Sequence, residues 1–326
     1  MKLLFCGFQH GHILGLYEKA KNNPDVEIVA CIEADENRRA ALADKISFDE
    51  KDYDYWLSTD VDIVAVGGKY GERGQMVIKA LTAGKHVIAD KPICTDLKEL
   101  KKIEKLAREK GLKVACMFDL RYTASTLTAK RLLDNKELGE VCNISFTGQH
   151  CIDYGNRPTW YFEKGMHGGT LNDLSIHGLD LVEFLTGLTV KKVNAARCWN
   201  RYATKHPYFK DCAMFLAELS NGGGLVADVS YSAPTQVFSM PTYWDFKIWC
   251  EKGLLTFAAT QNKVTLYKQG VAEPIVLEEN PECSDWLKDL ISEIRSGDNT
   301  FTESVFRTPV AASIDGYLDA FCKFSA

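Results

Sequence analysis

Lys2-Leu3-Leu4-Phe5-Cys6-Gly7-Phe8-Gln9-His10-Gly11-His12 runs an apolar strand straight into a glycine turn, and a helical pattern follows through Lys21. The apolar stretch is too short for a signal peptide and is expected to belong to the fold. Asn22-Asn23-Pro24-Asp25 breaks the helix, and Val26-Glu27-Ile28-Val29-Ala30-Cys31-Ile32 reads as a second strand. The alternation continues with strands over 61–66, 86–89 and 113–117. Helices fall over 74–83 and 97–110, the last closed by Gly111. Apolar strands separated by helical stretches of this length predict an α/β, doubly wound parallel sheet, the Rossmann arrangement.

The layout is that of a dinucleotide-binding domain. A glycine turn after the first strand lets a pyrophosphate approach a helix N-terminus, where backbone N–H groups and the dipole favour an anion. An acid ending the second strand accepts hydrogen bonds from ribose hydroxyls and repels a 2′-phosphate. Glu33 holds that place with Asp35 in reserve, so NAD is the expected cofactor, while Arg38 and Arg39 leave NADP open. The turn residues Gly7, Phe8, Gln9, His10 and His12 are expected to line the cofactor. They depart from the G-x-G-x-x-G pattern, whose three glycine places hold Gly7, Gln9 and His12. Gln9 obstructs close backbone approach unless its side chain turns away. His10 or His12 would donate to phosphate in place of the lost contact, although each also reads as an ordinary loop or cap residue.

At 326 residues the chain is the size of two domains. Hydrophobic content of 46% and charged content of 25% are ordinary for a globular protein. A net charge of −5 argues against a general nucleic-acid partner. No apolar run approaches the ~20 residues of a membrane span. The cysteine count is odd, 11, with no Cys-x-x-Cys pair and several members inside apolar runs. That pattern reads as reduced, buried side chains in a cytoplasmic protein, not a disulfide framework or zinc site. Cys151 lies near the candidate site, and packing is its expected role.

Past residue 120 the pattern changes. A helix is predicted from 124 to about 135 and another over 173–185. Strands are predicted over 141–147, 191–199, 213–219, 225–231, 243–250, 254–259 and 264–268. Helices return at 283–295 and 304–324. This predicts an α+β domain over 121–326 after a dinucleotide-binding domain over 1–120, with the last helix returning toward the first domain.

Two stretches carry candidate chemistry. His86-Val87-Ile88-Ala89-Asp90-Lys91-Pro92 places Lys91 where a buried strand stops, before a proline that cannot continue the ladder. Gly168-Gly169-Thr170-Leu171-Asn172-Asp173-Leu174-Ser175-Ile176-His177 puts Asp173 and His177 four apart on one face of the predicted helix. Lysine, imidazole and carboxylate together move a proton on and off a hydroxyl. Taken singly, Lys91 reads as a surface lysine, and Asp173 with His177 as a pair supporting a helical turn. Asp173 and His177 with His167 or His150 also have metal-ligand chemistry, but a neighbouring ammonium opposes a cation, so no metal is expected.

Gly84-Lys85-His86-Val87-Ile88-Ala89-Asp90-Lys91-Pro92 resembles the Ala-Gly-Lys-His-Val-x-x-Glu-Lys-Pro signature of the glucose–fructose oxidoreductase, inositol dehydrogenase and MocA family. Phe118-Asp119-Leu120-Arg121-Tyr122 is similar to its Phe-Asn-x-Arg-Phe segment, and Leu138-Gly139-Glu140-Val141 to its Leu-Gly-Glu-Ile turn. Gly168-Gly169, Asp173, His177 and Asp180 follow its Gly-Gly-x-x-x-Asp-x-x-x-His-x-x-Asp block, and all four matches come in the family's order.

The resemblance implies a Rossmann domain followed by a domain on a large, mostly antiparallel open sheet. It implies NAD(P)-dependent oxidation or reduction of a sugar, polyol or related hydroxy compound, and homo-oligomerisation through the open sheet face. Carried over by position, Lys91, Asp173 and His177 are the expected catalytic residues, and Asp90 replaces a glutamate near the nicotinamide. Val66-Gly67-Gly68-Lys69-Tyr70 replaces apolar-Ala-Thr-Pro-Asn, and Gly67 and Gly68 are placed beside the cofactor. Arg121, His150, Tyr154, Trp160 and His167 are the candidate substrate contacts, since aromatic faces with polar groups suit a sugar ring. The departures around the cofactor also fit a non-catalytic sugar- or dinucleotide-binding sensor on the same scaffold. Catalysis as expected requires the Lys91 ammonium and the His177 imidazole to meet at one substrate oxygen.

Overall fold

The structure, a computed structural model, describes residues 1–234, 243–279, 281 and 284–307. The chain forms two compact units. The first contains β1 (Lys2–Cys6), α1 (His12–Lys21), β2 (Glu27–Ile32), α2 (Glu36–Leu42), α3 (Tyr53–Leu57), β3 (Ile63–Val66), α4 (Tyr70–Thr82), β4 (His86–Ala89), α5 (Leu97–Lys110) and β5 (Val114–Cys116). All five strands are parallel, in the order β2-β1-β3-β4-β5. The chain leaves β1 for one side of the sheet and returns for β3 on the other, so the switch point lies between these two strands. Helices on both faces bury the central strands completely, which is why Ile63-Val64-Ala65-Val66 is apolar without alternation. Helix starts are written in the sequence. Asp35, Asp52 and Asp96 accept from backbone N–H groups at the first turns of α2, α3 and α5.

The second unit opens with a 3-10 turn (Asp119–Tyr122). It continues with α6 (Ala124–Asp134), β6 (Val141–Gln149), a second 3-10 turn (Thr159–Phe162), a π-helical turn (Leu171–Ser175) and α7 (Ile176–Thr186). Seven further strands follow: β7 (Val190–Trp199), β8 (Cys212–Leu219), β9 (Gly224–Ser230), β10 (Asp245–Cys250), β11 (Gly253–Ala258), β12 (Val264–Lys268) and β13 (Ile275–Leu277). The eight strands lie in the order β13-β12-β11-β10-β6-β9-β8-β7, antiparallel except for the central β6–β9 pair. Strand β13 was not expected, because its three residues are too short for alternation to be read.

One face of this sheet is core. Phe146 stacks on Phe246 with ring centroids 5.5 Å apart and meets Phe215 edge-on at 6.1 Å. Helix α7 lies against the same rings, and a Cβ at Gly178 would fall 2.2 Å from the Phe146 ring, so only glycine fits there. On the other face Met214, Leu216, Val226, Trp249 and Tyr267 are exposed.

The units are not two consecutive blocks divided near residue 120. The first unit runs from Met1 to Met117 and also takes in Lys164–Gly168 and Trp286–Phe306. Helices α8 (Trp286–Ser296) and α9 (Thr300–Arg307) account for the latter. Buried Lys113, next to β5, holds their connection, its Nζ donating to Gly297 O at 3.2 Å and to Asp298 O and Asn299 Oδ1, each at 2.5 Å. The helix expected over 304–324 lies outside the described residues beyond Arg307, as does its expected return to the first domain.

Candidate active site

At the switch point the turns after β1 and β3 press together. Gly7 has φ +84°, and a Cβ there would lie 2.7 Å from the backbone nitrogen of Gly68. The Gln9 N–H donates to Gly67 O at 2.9 Å, so Gly67 and Gly68 belong to the floor that the glycine turn rests on. Gly7→Ala is expected to destabilise the first unit by about 1–3 kcal/mol and to weaken dinucleotide binding, read by thermal melting and titration with NAD+. An unchanged melting temperature would refute it.

A cleft of about 650 Å³ opens beside this junction, lined by Gly7, Gln9, Glu33, Asp35, Arg39, Gly68 and Lys69 among others. Glu33 lies at its edge but is already engaged, accepting Phe8 N–H at 2.6 Å and Asp35 N–H at 3.0 Å. Arg38 donates to Phe8 O at 2.5 Å and Arg39 to Glu33 O at 2.8 Å. Arg38 thus braces the turn after β1, while Arg39 holds the carbonyl of Glu33 and still lines the cleft.

Asp90 follows β4 and is fully buried. His10 Nδ1 lies 2.8 Å from one carboxylate oxygen and His12 Nδ1 3.1 Å from the other. Arg73 stands 3.6 Å away, and the Lys91 N–H donates at 2.7 Å. Burial disfavours the charge on Asp90, but the two histidines and Arg73 outweigh it and hold the carboxyl well below its usual range. The Asp90 carboxylate is thus held by its protein neighbours. His10, His12 and Asp90 bring possible ligand atoms within 4.8 Å of one another, and the Arg73 guanidinium lies 3.6 Å from the same carboxylate.

Tyr70, fully buried at the start of α4, organises the next layer. Arg73 lies over its ring at 4.7 Å and the Lys91 ammonium at 5.7 Å, and the His167 ring is 5.8 Å away. Lys91 is itself 3% exposed, so it is not the surface lysine of the plainer reading. His167 is a buried neighbour of Tyr70 within the first unit.

In the second unit Asp173 sits in the π-helical turn and His177 in the first turn of α7. The expected single α-helix over 173–185 is corrected accordingly, since its start is a π-helical turn. Turns of this wider kind recur at functional sites. Asp173 accepts a hydrogen bond from buried Tyr231. The His177 ring meets Trp244 at 5.2 Å and Phe118 at 6.4 Å. His150 packs on Tyr243 at 5.1 Å, with its Nε2 3.2 Å from the Tyr243 hydroxyl, whose pKa burial pushes up to about 12.

Tyr231, Tyr243 and Trp244 were not among the expected site residues. The one signal available was their place beside turns. Trp244 takes φ +54°, rare for a large side chain, and its ring fills the space over Gly148. Two candidate substrate contacts are deeply buried. Arg121 is buried against Asp180, its Nε donating at 2.7 Å and a second nitrogen completing the fork. Trp160 is 3% exposed and packs on Tyr161 at 4.4 Å. Tyr154 is exposed and stacks on Phe162 at 5.9 Å.

No disulfide joins the described cysteines, and burial pushes the Cys31 and Cys94 thiols up to about 12. Cys151 forms an isolated bridge with Ser232.

Residues 2–118 match the family model described as an oxidoreductase family with an NAD-binding Rossmann fold, and residues 126–256 match the GFO/IDH/MocA C-terminal domain. The chain belongs to the Gfo/Idh/MocA family. Among curated relatives, the levoglucosan dehydrogenase of Pseudarthrobacter phenanthrenivorans is 27% identical over 48% of this chain and 41% of its own length. The scyllo-inositol 2-dehydrogenase (NAD(+)) of Bacillus subtilis is 26% identical over 68% of this chain and 67% of its own length. The D-xylose dehydrogenase of Paenarthrobacter nicotinovorans matches over 49% of its length, so this chain spans half or less of two of these relatives. An oxidoreductase structure from Erwinia carotovora superposes with a TM-score of 0.86 at 21% identity, covering 96% of each chain. Levoglucosan dehydrogenase with NADH and levoglucosan superposes with a TM-score of 0.80 at 16% identity, covering 96% of this chain and 95% of that one. At these identities the likeness is one of fold. Among the described residues no helix is long and apolar enough to cross a membrane.

Proposed function

We propose that this Gfo/Idh/MocA chain is an NAD-dependent oxidoreductase acting on a CH–OH group of a sugar, polyol or related small molecule. The observation that carries the proposal is Lys91, buried at the carboxyl end of β4 and packed on Tyr70, in a Rossmann sheet whose switch-point turns meet through Gly7, Gly67 and Gly68. The junction fits a dinucleotide, because no side chain intervenes where the two backbones meet and the cleft opens beside it. Glu33 at the cleft edge favours NAD. When bound, the dinucleotide supplies the hydride acceptor and donor.

The remaining chemistry falls to the protein. His177 accepts the substrate hydroxyl proton, with an imidazole suited to reversible transfer near neutral pH. Lys91 donates to the same oxygen and stabilises its developing negative charge. Asp173, held by Tyr231, orients the substrate or the histidine. His150 and Tyr154 are the proposed sugar contacts. Assay of NADH formation across polyols and sugars tests the reading, and it fails if none is oxidised at any NAD+ concentration. A second reading, a sensor that binds without turnover, draws on the altered turn in which Gln9, His10 and His12 replace a regular glycine loop; sugar binding with no affinity for NAD+ would favour it.

The protein is further proposed to work in the cytoplasm as a homo-oligomer assembled through the open sheet face. The support is the row of exposed apolar side chains on β8, β9, β10 and β12, with Trp249 and Val226 each 50% exposed. Trp249→Lys is expected to shift the protein toward monomer in light-scattering measurements. A wild-type chain that is already monomeric at high concentration refutes the assembly.

A further inference from the structure

Tyr70 and Arg73 stand one turn apart at the start of α4, and both side chains are fully buried. Arg73 binds main chain at two places. One terminal nitrogen donates to Pro92 O and the other to Gly68 O, each at 2.8 Å. The first bond fixes the chain just past Lys91, and the Asp90 carboxylate 3.6 Å from the guanidinium fixes it just before. Nε of Arg73 is buried with no hydrogen-bond acceptor among the described residues, and the Tyr70 ring covers the guanidinium at 4.7 Å. The same ring takes the Lys91 ammonium at 5.7 Å. His10 meets that ring edge-on at 5.5 Å, and the His167 ring lies 5.8 Å off. Tyr70 occupies the place of the asparagine in the motif after β3, a residue with no ring to offer. An ammonium 3% exposed has lost most of its water. An acceptor atom would compensate by tying down one N–H. An aromatic face compensates through its quadrupole and fixes no single N–H, so the ammonium is held at the strand end and can still turn an N–H to an oxygen beside it.

Resting on the reading of Lys91 as donor to the substrate oxygen, we infer that Tyr70 is the positioning residue of Lys91. Arg73 holds the backbone on either side of the lysine, and the face of the Tyr70 ring holds the ammonium in its donating position. The contribution is electrostatic, so it follows the electron density of the ring and not its volume.

The test keeps the shape of the ring and changes its charge. In the full chain, Tyr70→Phe is compared with proteins carrying difluoro- and trifluorophenylalanine at position 70, so the tyrosine hydroxyl drops out of the comparison. Fluorine withdraws density from the ring face with little change in volume. NAD+ reduction is followed with D-xylose, D-glucose and myo-inositol as probes. Relative to Tyr70→Phe, kcat is expected to fall stepwise with fluorination, to about one tenth in the trifluoro protein, the scale of a desolvated cation–π contact. NAD+ affinity, measured by calorimetry, should hold. A loosened Arg73 would instead weaken NAD+ binding, because Arg73 holds Gly68 in the floor beneath the glycine turn. Equal kcat across the series, or a fall in kcat that appears only with a fall in NAD+ affinity, overturns the inference. Independently of turnover, NMR of the chain labelled with 15N at lysine reads the Lys91 side chain, identified by its absence in Lys91→Met. Its ring-current shift should be present in Tyr70→Phe and lost in Tyr70→Leu, and the same shift in both overturns the inference. A wild-type chain that reduces NAD+ with none of the probes counts against the oxidoreductase reading instead, and the NMR comparison then decides the Tyr70 contact alone.

Discussion

Lys91→Met is expected to lower kcat/KM about 10²–10³-fold, the scale of losing a donor to a developing oxyanion, while NAD+ affinity stays nearly unchanged. Methionine keeps most of the apolar length of the side chain while removing the ammonium that lies over Tyr70, and the backbone N–H that donates to Asp90 is retained. What is lost is the ammonium, which acts on the transition state and not on the dinucleotide. His177→Gln is expected to cost about 10²–10⁴-fold through loss of the general base. If both groups act on one oxygen, the double variant falls well short of the product of the single losses. NAD+ titration separates a chemical defect from a collapsed first unit. Full turnover in both single variants would remove the proposed mechanism.

The second large effect concerns stability. Arg121→Ala should destabilise the second unit by about 3–5 kcal/mol, because it leaves Asp180 charged and buried without its partner. Asp180→Ala should cost a similar amount. Asp180 outweighs the burial that works against the guanidinium and raises the Arg121 pKa, so the guanidinium stays charged. Replacing both residues together by methionine and leucine should recover most of the loss, since a well-packed apolar pair avoids desolvating two charges. Urea unfolding midpoints measure all three variants. An Arg121→Ala protein with the wild-type midpoint but a raised substrate KM would return Arg121 to the substrate contacts.

Much of the fold was legible because its signals are local. The apolar run of β3 and Gly111 at the end of α5 each declare an element from neighbouring residues alone, whereas the five-residue α3 was too short to be expected. Strand alternation gave the second sheet for the same reason. The π-helical turn around Asp173 escaped, because a widened turn leaves the spacing of apolar residues almost helical. The candidate site was legible only as residue types at motif spacing.

The sequence by itself determined the parallel and antiparallel sheets, the order of their strand-forming segments and the strand-end lysine, since periodicity and turn residues act over a few positions. Only the tertiary structure decided which side chains meet. It paired Arg121 with Asp180 across 59 residues and closed Asp90 on histidines 78 and 80 positions away. Such partners are selected by where sheet order carries strand ends and by how much each buried charge must be compensated. Neither quantity is carried by any short stretch of chain.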